Sequence, residues 1–453
     1  MNVFVKPNEQ SRACASHAMA RKMKKENARM ELVIGYDRRF LAKEAVQWAA
    51  EVLAAEGITV RFVNRSSPTP LIMFYTMAHD LDYGMMVTAS HNPSLYNGFK
   101  VFTKGGRDAD EHQTADVERW ILQVEEDQKQ GYEIPCLRYE DGIKAGLIVE
   151  FNPLNEYLDS IISRIDMQAI RDAQLRVVLD PLYGVSQTAL QTILSTARCY
   201  METIHSGHDT LFAGKLPAPN ADTLKTLQNY VIDYGYDIGV AFDGDADRCL
   251  LVDETGGVID GDKVMAVCAL DMKRRGKLNG NALVATVMSN LGLHEFCRNN
   301  GIDLLCTDVG DRNVLEKMLE RDYRIGGEQS GHTIFTDVET TGDGEVTALQ
   351  FLQVLARSGE KASSLVSCCA VYPQVLVNVE VPHSGGVKEA IMASPALAEA
   401  VKREEEALAG AGRVLVRPSG TEALIRVMVE AKTTQIAQAV ADRLADFIKS
   451  QKK

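Results

Sequence analysis

Glu31-Leu32-Val33-Ile34-Gly35-Tyr36-Asp37 is an apolar run that turns polar at its end, the pattern of a buried strand. Residues 42–56 follow with helical spacing, and Thr59-Val60-Arg61-Phe62-Val63 reads as a second strand. Strand, helix and strand at this separation make an α/β unit around a parallel sheet. Ligands of such sheets lie beyond the carboxyl ends of the strands. Asp37, Arg38 and Arg39 stand at one such end.

Upstream, residues 8–26 place Ala13, Ala15, Ala18, Met19 and Met23 on a roughly helical period. Downstream, Tyr83 to Val87 reads as another buried strand, followed by Thr88-Ala89-Ser90-His91-Asn92-Pro93. Asn97-Gly98 signals a turn and Phe99 to Phe102 a further strand, which puts Ser90 on a tight loop. Pro93 stiffens the exit, and His91 and Asn92 flank the hydroxyl with hydrogen-bonding groups. A serine so placed carries a covalent group if something activates it; otherwise the loop is an ordinary polar turn.

A second α/β segment starts near Phe151. Leu175 to Asp180 is a strand, residues 207–220 form a long loop, and residues 221–234 form a helix. The strand Asp237 to Phe242 empties into Asp243-Gly244-Asp245-Ala246-Asp247-Arg248. Three carboxylates at alternate positions, with a glycine that lets the loop bend, suit a hard divalent cation such as Mg²⁺. Two rivals stand beside that reading, an EF-hand calcium loop ending at Glu254 and a solvated acidic turn. Arg248 at the sixth position and a strand in place of a helix count against the EF-hand.

A third α/β segment has strands at Ala282 to Val287 and Leu304 to Val309, then the loop Gly326-Gly327-Glu328-Gln329-Ser330-Gly331-His332. An acid, an amide, a hydroxyl and an imidazole on a glycine-rich loop are a set that reads sugar hydroxyls, although a lone histidine is more often structural. The last segment changes to an α+β pattern, with strands at Pro373 to Val381, Arg413 to Arg417 and Leu424 to Glu430. Arg417-Pro418-Ser419-Gly420-Thr421-Glu422, with Arg426 near, makes either a phosphate cradle or a plain surface hairpin. The four segments span 1–145, 146–255, 256–370 and 371–453, and a charged stretch from Glu125 to Tyr139 marks the end of the first.

A chain of 453 residues is too long for one core. Its 45% hydrophobic and 25% charged residues are ordinary for a soluble protein. A net charge of −13 argues against nonspecific nucleic-acid binding and anionic membrane surfaces. No run is long enough to span a bilayer, and residues 1–7 lack the apolar core of a signal peptide. Nine scattered cysteines, an odd number without zinc spacing, fit reduced thiols in a cytoplasm.

These four loops in this order resemble the α-D-phosphohexomutase family, over nearly the whole chain from about residue 30. The resemblance implies three related α/β domains with mixed sheets and a smaller C-terminal α+β domain around a central cleft. It implies a phosphorylated Ser90 and one Mg²⁺ per chain, held by Asp243, Asp245 and Asp247 against that phosphate. His91, Lys100 and Arg248 match positions that line the phosphoserine; Lys100 is the expected general acid or base, with His332 second. Glu328, Ser330 and His332 would bind the sugar; Arg417, Ser419, Gly420, Thr421 and Arg426 would bind its phosphate. The implied reaction moves phosphate between C6 and C1 of a hexose through a 1,6-bisphosphate, which also serves as primer. The enzyme would be a cytoplasmic monomer or homodimer acting on small hexose phosphates.

Within the family, the downstream half resembles the phosphoglucosamine mutases, in Gly327 to His332, Val284 to Asn290 and Arg417 to Glu430. The upstream half resembles the phosphoglucomutases and phosphomannomutases, in Gly35 to Phe40, Thr88 to Pro93 and Leu211 to Pro219. Because the sugar loop touches the hexose, glucosamine phosphate is the expected substrate, with glucose or mannose phosphate as the alternative. Members usually open with a Phe-Gly-Thr-x-Gly-x-Arg-Gly stretch that this chain lacks, so the first sheet is expected to miss a strand and the site a cation. Asp308 stands where relatives often have lysine, and Ala423 where they often have proline. A phosphatase using the same loops and an inactive sugar-phosphate-binding paralogue are the rival readings.

Overall fold

The computed structural model describes residues 3–4, 9–382, 386–419 and 423–451. Its contacts group into two units, Met1–Met288 with Ile302–Cys368, and Ser289–Gly301 with Cys369–Lys453.

The first α/β domain runs β1 (Val3–Phe4), α1 (Glu9–Lys25), β2 (Glu31–Tyr36), α2 (Ala42–Ala55), β3 (Thr59–Val63) and α3 (Thr69–Ala78). It continues with β4 (Tyr83–Val87), β5 (Gly98–Thr103), β6 (Arg107–Asp108), α4 (Glu111–Lys129), α5 (Tyr139–Lys144) and β7 (Ile148–Phe151). The sheet order is β1-β5-β4-β2-β3-β7, with β6 on β5. Strands β4, β2, β3 and β7 are parallel, and β5 turns back antiparallel to β4. The alanine-rich face of α2 (Ala42, Ala45, Val46, Ala49, Leu53) recurs every three or four residues and packs into the sheet core. On α3, Thr76 lies so close to the sheet that a Cβ at Gly84 would fall 2.2 Å from its Oγ1.

Three expectations change here. The sheet has an N-terminal strand, since Val3 and Phe4 pair with Phe99 and Gly98. It also extends past residue 145, because β7 pairs with β3. The charged stretch after Glu125 begins as helix: α4, started by an Asp110–Gln113 capping box, runs to Lys129 and buries Val117 and Val124.

The second α/β domain comprises α6 (Leu154–Ile162), α7 (Met167–Ala173), β8 (Arg176–Asp180), α8 (Thr188–Thr196), β9 (Tyr200–Thr203), α9 (Lys225–Tyr234), β10 (Ile238–Phe242), β11 (Cys249–Asp253) and β12 (Val258–Ile259). Its sheet order is β12-β11-β10-β8-β9. The third comprises α10 (Gly261–Arg274), β13 (Ala282–Thr286), β14 (Asp303–Thr307), α12 (Asp311–Glu320), β15 (Ile325–Gly327), β16 (Thr333–Phe335), α13 (Gly344–Ser358) and α14 (Ala362–Val366), with α11 (Leu291–Asn299) between β13 and β14 in sequence. Its order is β14-β13-β15-β16.

In the second unit, β17 (Gln374–Glu380), α15 (Val387–Met392), α16 (Pro395–Ala407), β18 (Gly412–Pro418), β19 (Leu424–Ala431) and α17 (Thr434–Ser450) form the small α+β domain, with an antiparallel sheet β17-β19-β18. Helix α11 is tied to it: Leu291 N donates to the buried Glu430 carboxylate at 2.8 Å, and Glu430 pairs with Arg413 at 3.2 Å. No helix among the described residues is long and apolar enough to cross a membrane.

The first turn of α13 carries an unusual load of buried acid. Asp343 caps the helix and accepts from Tyr157 Oη at 2.5 Å, with Glu339 and Glu345 buried beside it. Burial, and then the Asp343 charge, push the Glu345 carboxyl well above its ordinary pKa. The folded state therefore binds this proton more tightly than the unfolded chain. Stability is lost as pH rises from the unfolded value through the folded one. Glu345→Gln should raise the thermal midpoint more at pH 9 than at pH 6, read by calorimetry at both; an equal shift at the two pH values would refute the assignment.

Candidate active site

Strand β4 delivers Ser90 to a loop in which its backbone is left-handed, at φ +50°. A serine held there is strained unless its surroundings fix it, and they do. Ser90 N donates to Thr88 Oγ1 at 2.8 Å, and Thr88 Oγ1 donates to Asp37 at 2.7 Å. Arg39, its side chain fully buried, spends every donor on this knot. Nε bonds Asp37 (3.0 Å), Nη1 the carbonyls of Pro93 (2.8 Å) and Tyr96 (3.0 Å), and Nη2 those of Ser90 (2.6 Å) and Asn92 (2.7 Å). Neighbouring Arg38 reaches away instead, to Gln187 (2.8 Å) and the Gly207 carbonyl (3.2 Å) of the second domain.

The β10–β11 hairpin carries Asp243, Asp245 and Asp247, all buried, each with an oxygen within 4.8 Å of the others'. Ala246 between them is also left-handed, at φ +63°. Ser90 Oγ donates to Asp243 at 3.1 Å and lies 3.3 Å from His91 Nδ1. Lys100, from β5, bonds Asp245 at 2.8 Å and Asp247 at 2.7 Å. Burial alone would lower the Lys100 pKa, but the two carboxylates outweigh it and hold the ammonium well above its usual range. For His91, burial and the Arg248 charge lower the pKa, which favours neutral imidazole. Arg248 lies 3.9 Å from Asp247, and its backbone N–H donates to Asp243 at 3.2 Å.

Asp245 Oδ1 and Asp247 Oδ1 are buried without a hydrogen-bond partner among the described residues. Orphaned carboxylate oxygens are costly without a cation, and two of them in a buried trio of aspartates whose oxygens lie within 4.8 Å of one another suit Mg²⁺. The residues present fit the metal.

The loop after β15 folds back on itself through Glu328 N to the His332 carbonyl (2.9 Å). The Glu328 carboxylate accepts from Gly310 N (3.0 Å) and from Ser330 Oγ (3.2 Å). His332 is buried, 3.6 Å from Asp311, and its ring fills the space where a Cβ at Gly342 would stand, 2.3 Å away. Cys249 N, next to Arg248, donates to the Gly331 carbonyl at 3.1 Å, which joins this loop to the aspartate loop. Asp308 is exposed on the adjoining β14–α12 loop.

The structure thus brings together Ser90, His91, Lys100, the three aspartates and Arg248, and links them to the loop of Glu328, Ser330 and His332. Arg417, Ser419 and Arg426 belong to the second unit, where Arg417 and Arg426 face each other across β18 and β19. Gly420 and Thr421 lie outside the described residues. Sequence reading missed the Arg39 knot and Thr69, whose Oγ1 donates to Asp245 at 2.7 Å and whose N–H donates to the Asp245 carbonyl at 2.9 Å. The one available signal for Thr69 was Pro68-Thr69-Pro70, a helix start pointed at something.

The chain matches the phosphoglucomutase/phosphomannomutase family throughout: alpha/beta/alpha domain I over residues 5–128, domain II over 155–257, domain III over 260–372 and the C-terminal domain over 376–447. It is 39% identical over 426 residues to the phosphoglucosamine mutase of Thermoanaerobacter pseudethanolicus, covering 93% of this chain and 90% of that one. With the phosphoglucosamine mutase of Rhodococcus erythropolis the identity is 40% over 425 residues, covering 94% and 91%. In fold it resembles a phosphoglucomutase/phosphomannomutase family protein from Burkholderia thailandensis (TM-score 0.79, 20% identity, 98% and 95% covered). It also resembles Aspergillus fumigatus N-acetylphosphoglucosamine mutase, solved with GlcNAc-6P and magnesium (TM-score 0.61, 18% identity, 89% and 93% covered). The chain belongs to the α-D-phosphohexomutase family of phosphoglucomutases and phosphomannomutases.

Proposed function

We propose that this phosphohexomutase interconverts glucosamine 6-phosphate and glucosamine 1-phosphate, with Ser90 carrying the phosphoryl group between them. The observation behind it is the Ser90 hydroxyl in a strained loop, 3.1 Å from Asp243 of a buried aspartate trio. The two phosphoglucosamine mutases at 39% and 40% identity support the choice of sugar.

In the first half-reaction the C1 hydroxyl of glucosamine 6-phosphate attacks the phosphorus on Ser90. The P–Oγ bond breaks, and Ser90 Oγ takes up the proton that the sugar hydroxyl loses. The 1,6-bisphosphate then reorients and returns its C6 phosphoryl group to Ser90, and a trace of it primes unphosphorylated enzyme. Asp243, Asp245 and Asp247 would hold Mg²⁺, which supplies charge neutralisation for a transferring phosphoryl group. Lys100 and Arg248 add fixed positive charge there. We assign proton transfer to His332 and not to Lys100, which Asp245 and Asp247 hold as an ammonium, with neutral His91 holding the Ser90 hydroxyl. Glu328 and Ser330 bind sugar hydroxyls, and Arg417, Ser419, Gly420, Thr421 and Arg426 the phosphate that is not in transfer. The nine free thiols support a cytoplasmic setting, as monomer or homodimer.

The test is a mutase assay with glucosamine, glucose and mannose 6-phosphates, Mg²⁺ and a trace of bisphosphate. Glucosamine 6-phosphate should give the highest kcat/KM. Chelation should remove turnover and added Mg²⁺ restore it. Release of inorganic phosphate in place of the isomer would make the protein a phosphatase and overturn the reading.

A further inference from the structure

In the small α+β domain, Arg417 and Arg426 stand directly opposite each other on neighbouring antiparallel strands. Like charges so placed repel, and the half-buried Arg417 guanidinium has its pKa lowered by burial and by Arg426. Arg417 makes no hydrogen bond or ion pair among the described residues. A third cation comes from a different element: Lys388, in the first turn of α15, donates from Nζ to the Ser419 carbonyl at 2.8 Å. That contact holds the ammonium against the end of β18, two residues from Arg417. It uses one of three N–H donors, and Lys388 makes no ion pair among the described residues. Two paired arginines and a lysine held at the end of β18, with Arg417 and Lys388 lacking a counter-charge among the described residues, are an arrangement that an anion completes.

We propose that Lys388 binds the phosphate group of the hexose phosphate directly, as a third cation beside Arg417 and Arg426. This rests on reading Arg417 and Ser419 as a phosphate cradle. A dianionic phosphate suits the site better than a carboxylate because it offers three acceptor oxygens to donors carried on separate elements. The Ser419 carbonyl then acts as the rest that keeps the flexible lysine stem in place, so less ordering accompanies binding.

The experiment compares Lys388→Met and Lys388→Arg with the wild-type enzyme. Loss of one charge-assisted contact predicts a KM for glucosamine 6-phosphate about tenfold higher in Lys388→Met, with kcat within about threefold. The inhibition constant of inorganic phosphate should rise in parallel, and Lys388→Arg should stay within about threefold of wild type on both. An unchanged KM and inhibition constant in a folded Lys388→Met enzyme would overturn the proposal. So would equal defects in Lys388→Arg and Lys388→Met with a lowered thermal midpoint in both, the mark of a residue that only ties α15 to Ser419. Calorimetric titration of inorganic phosphate separates this from the mutase reading. If the wild type isomerises no hexose phosphate, the mutase reading falls, yet weaker phosphate binding by Lys388→Met than by wild type would still uphold Lys388, and equal binding would sink it.

Discussion

Ser90→Ala should lower mutase turnover by at least about four orders of magnitude, the scale on which loss of a covalent nucleophile is felt. The same substitution should change stability by less than about 1 kcal/mol, because the hydroxyl lies on a loop and contributes little to any core. Its hydrogen bond to Asp243 is lost, but the backbone bonds from Ser90 N to Thr88 and from Arg39 to the Ser90 carbonyl remain. The variant should therefore fold, hold hexose phosphate and transfer nothing. The measurement pairs steady-state turnover with mass spectrometry of the isolated protein. Wild type should show a phosphorylated fraction on the peptide containing Ser90, and the variant none. Near-wild-type turnover by Ser90→Ala would sink the phosphoserine mechanism outright.

Arg39→Lys should have the next largest effect, though Arg39 carries no chemistry. The guanidinium satisfies Asp37 and four loop carbonyls at once, and an ammonium with three donors on a shorter stem cannot reach all of them. The carbonyls of Ser90, Asn92, Pro93 and Tyr96 would be left short of donors, and the loop would lose the contacts that hold Ser90 left-handed. Disrupting a buried, hydrogen-bonded ion pair costs about 3–5 kcal/mol locally. A nucleophile displaced by about 1 Å costs about 10²-fold in rate. We expect kcat/KM to fall at least about a hundredfold, with faster amide hydrogen exchange across residues 90–97 than in wild type. Wild-type kcat with unchanged exchange in that stretch would show that the knot is dispensable.

What the sequence revealed was whatever is written locally. Tyr83 to Val87 is five apolar residues between polar ends, and the strand occupies those five. The aspartate loop announced itself because three carboxylates alternate within five residues after an apolar strand. The contacts that assemble the site are another matter. Thr69 meets Asp245 across 176 residues, and Lys100 meets Asp247 across 147, so no window of sequence contains either pair. In sequence Arg39 is only a charge at a strand end; its five bonds depend on where the loop 90–96 returns. The Val3–Phe4 strand is two residues long, too short to show a period, and it became visible only through its pairing with β5. Lys388 sits in no motif, and its place beside Ser419 depends on how α15 packs at the end of β18.

The lysine that bridges Asp245 and Asp247 comes from the first α/β domain and the aspartates from the second. Thr69 and Arg38 cross the same seam. The two domains match separate family modules, yet neither is electrically self-sufficient: apart, one would bury a lysine without its counter-ions and the other three carboxylates without the lysine that two of them share. A chimera that grafts residues 155–257 of a relative onto this chain would therefore succeed or fail on whether the donor was tuned to a threonine, a lysine and an arginine at these positions. Recombination between such enzymes should tolerate breakpoints that carry both domains together far better than one placed between them.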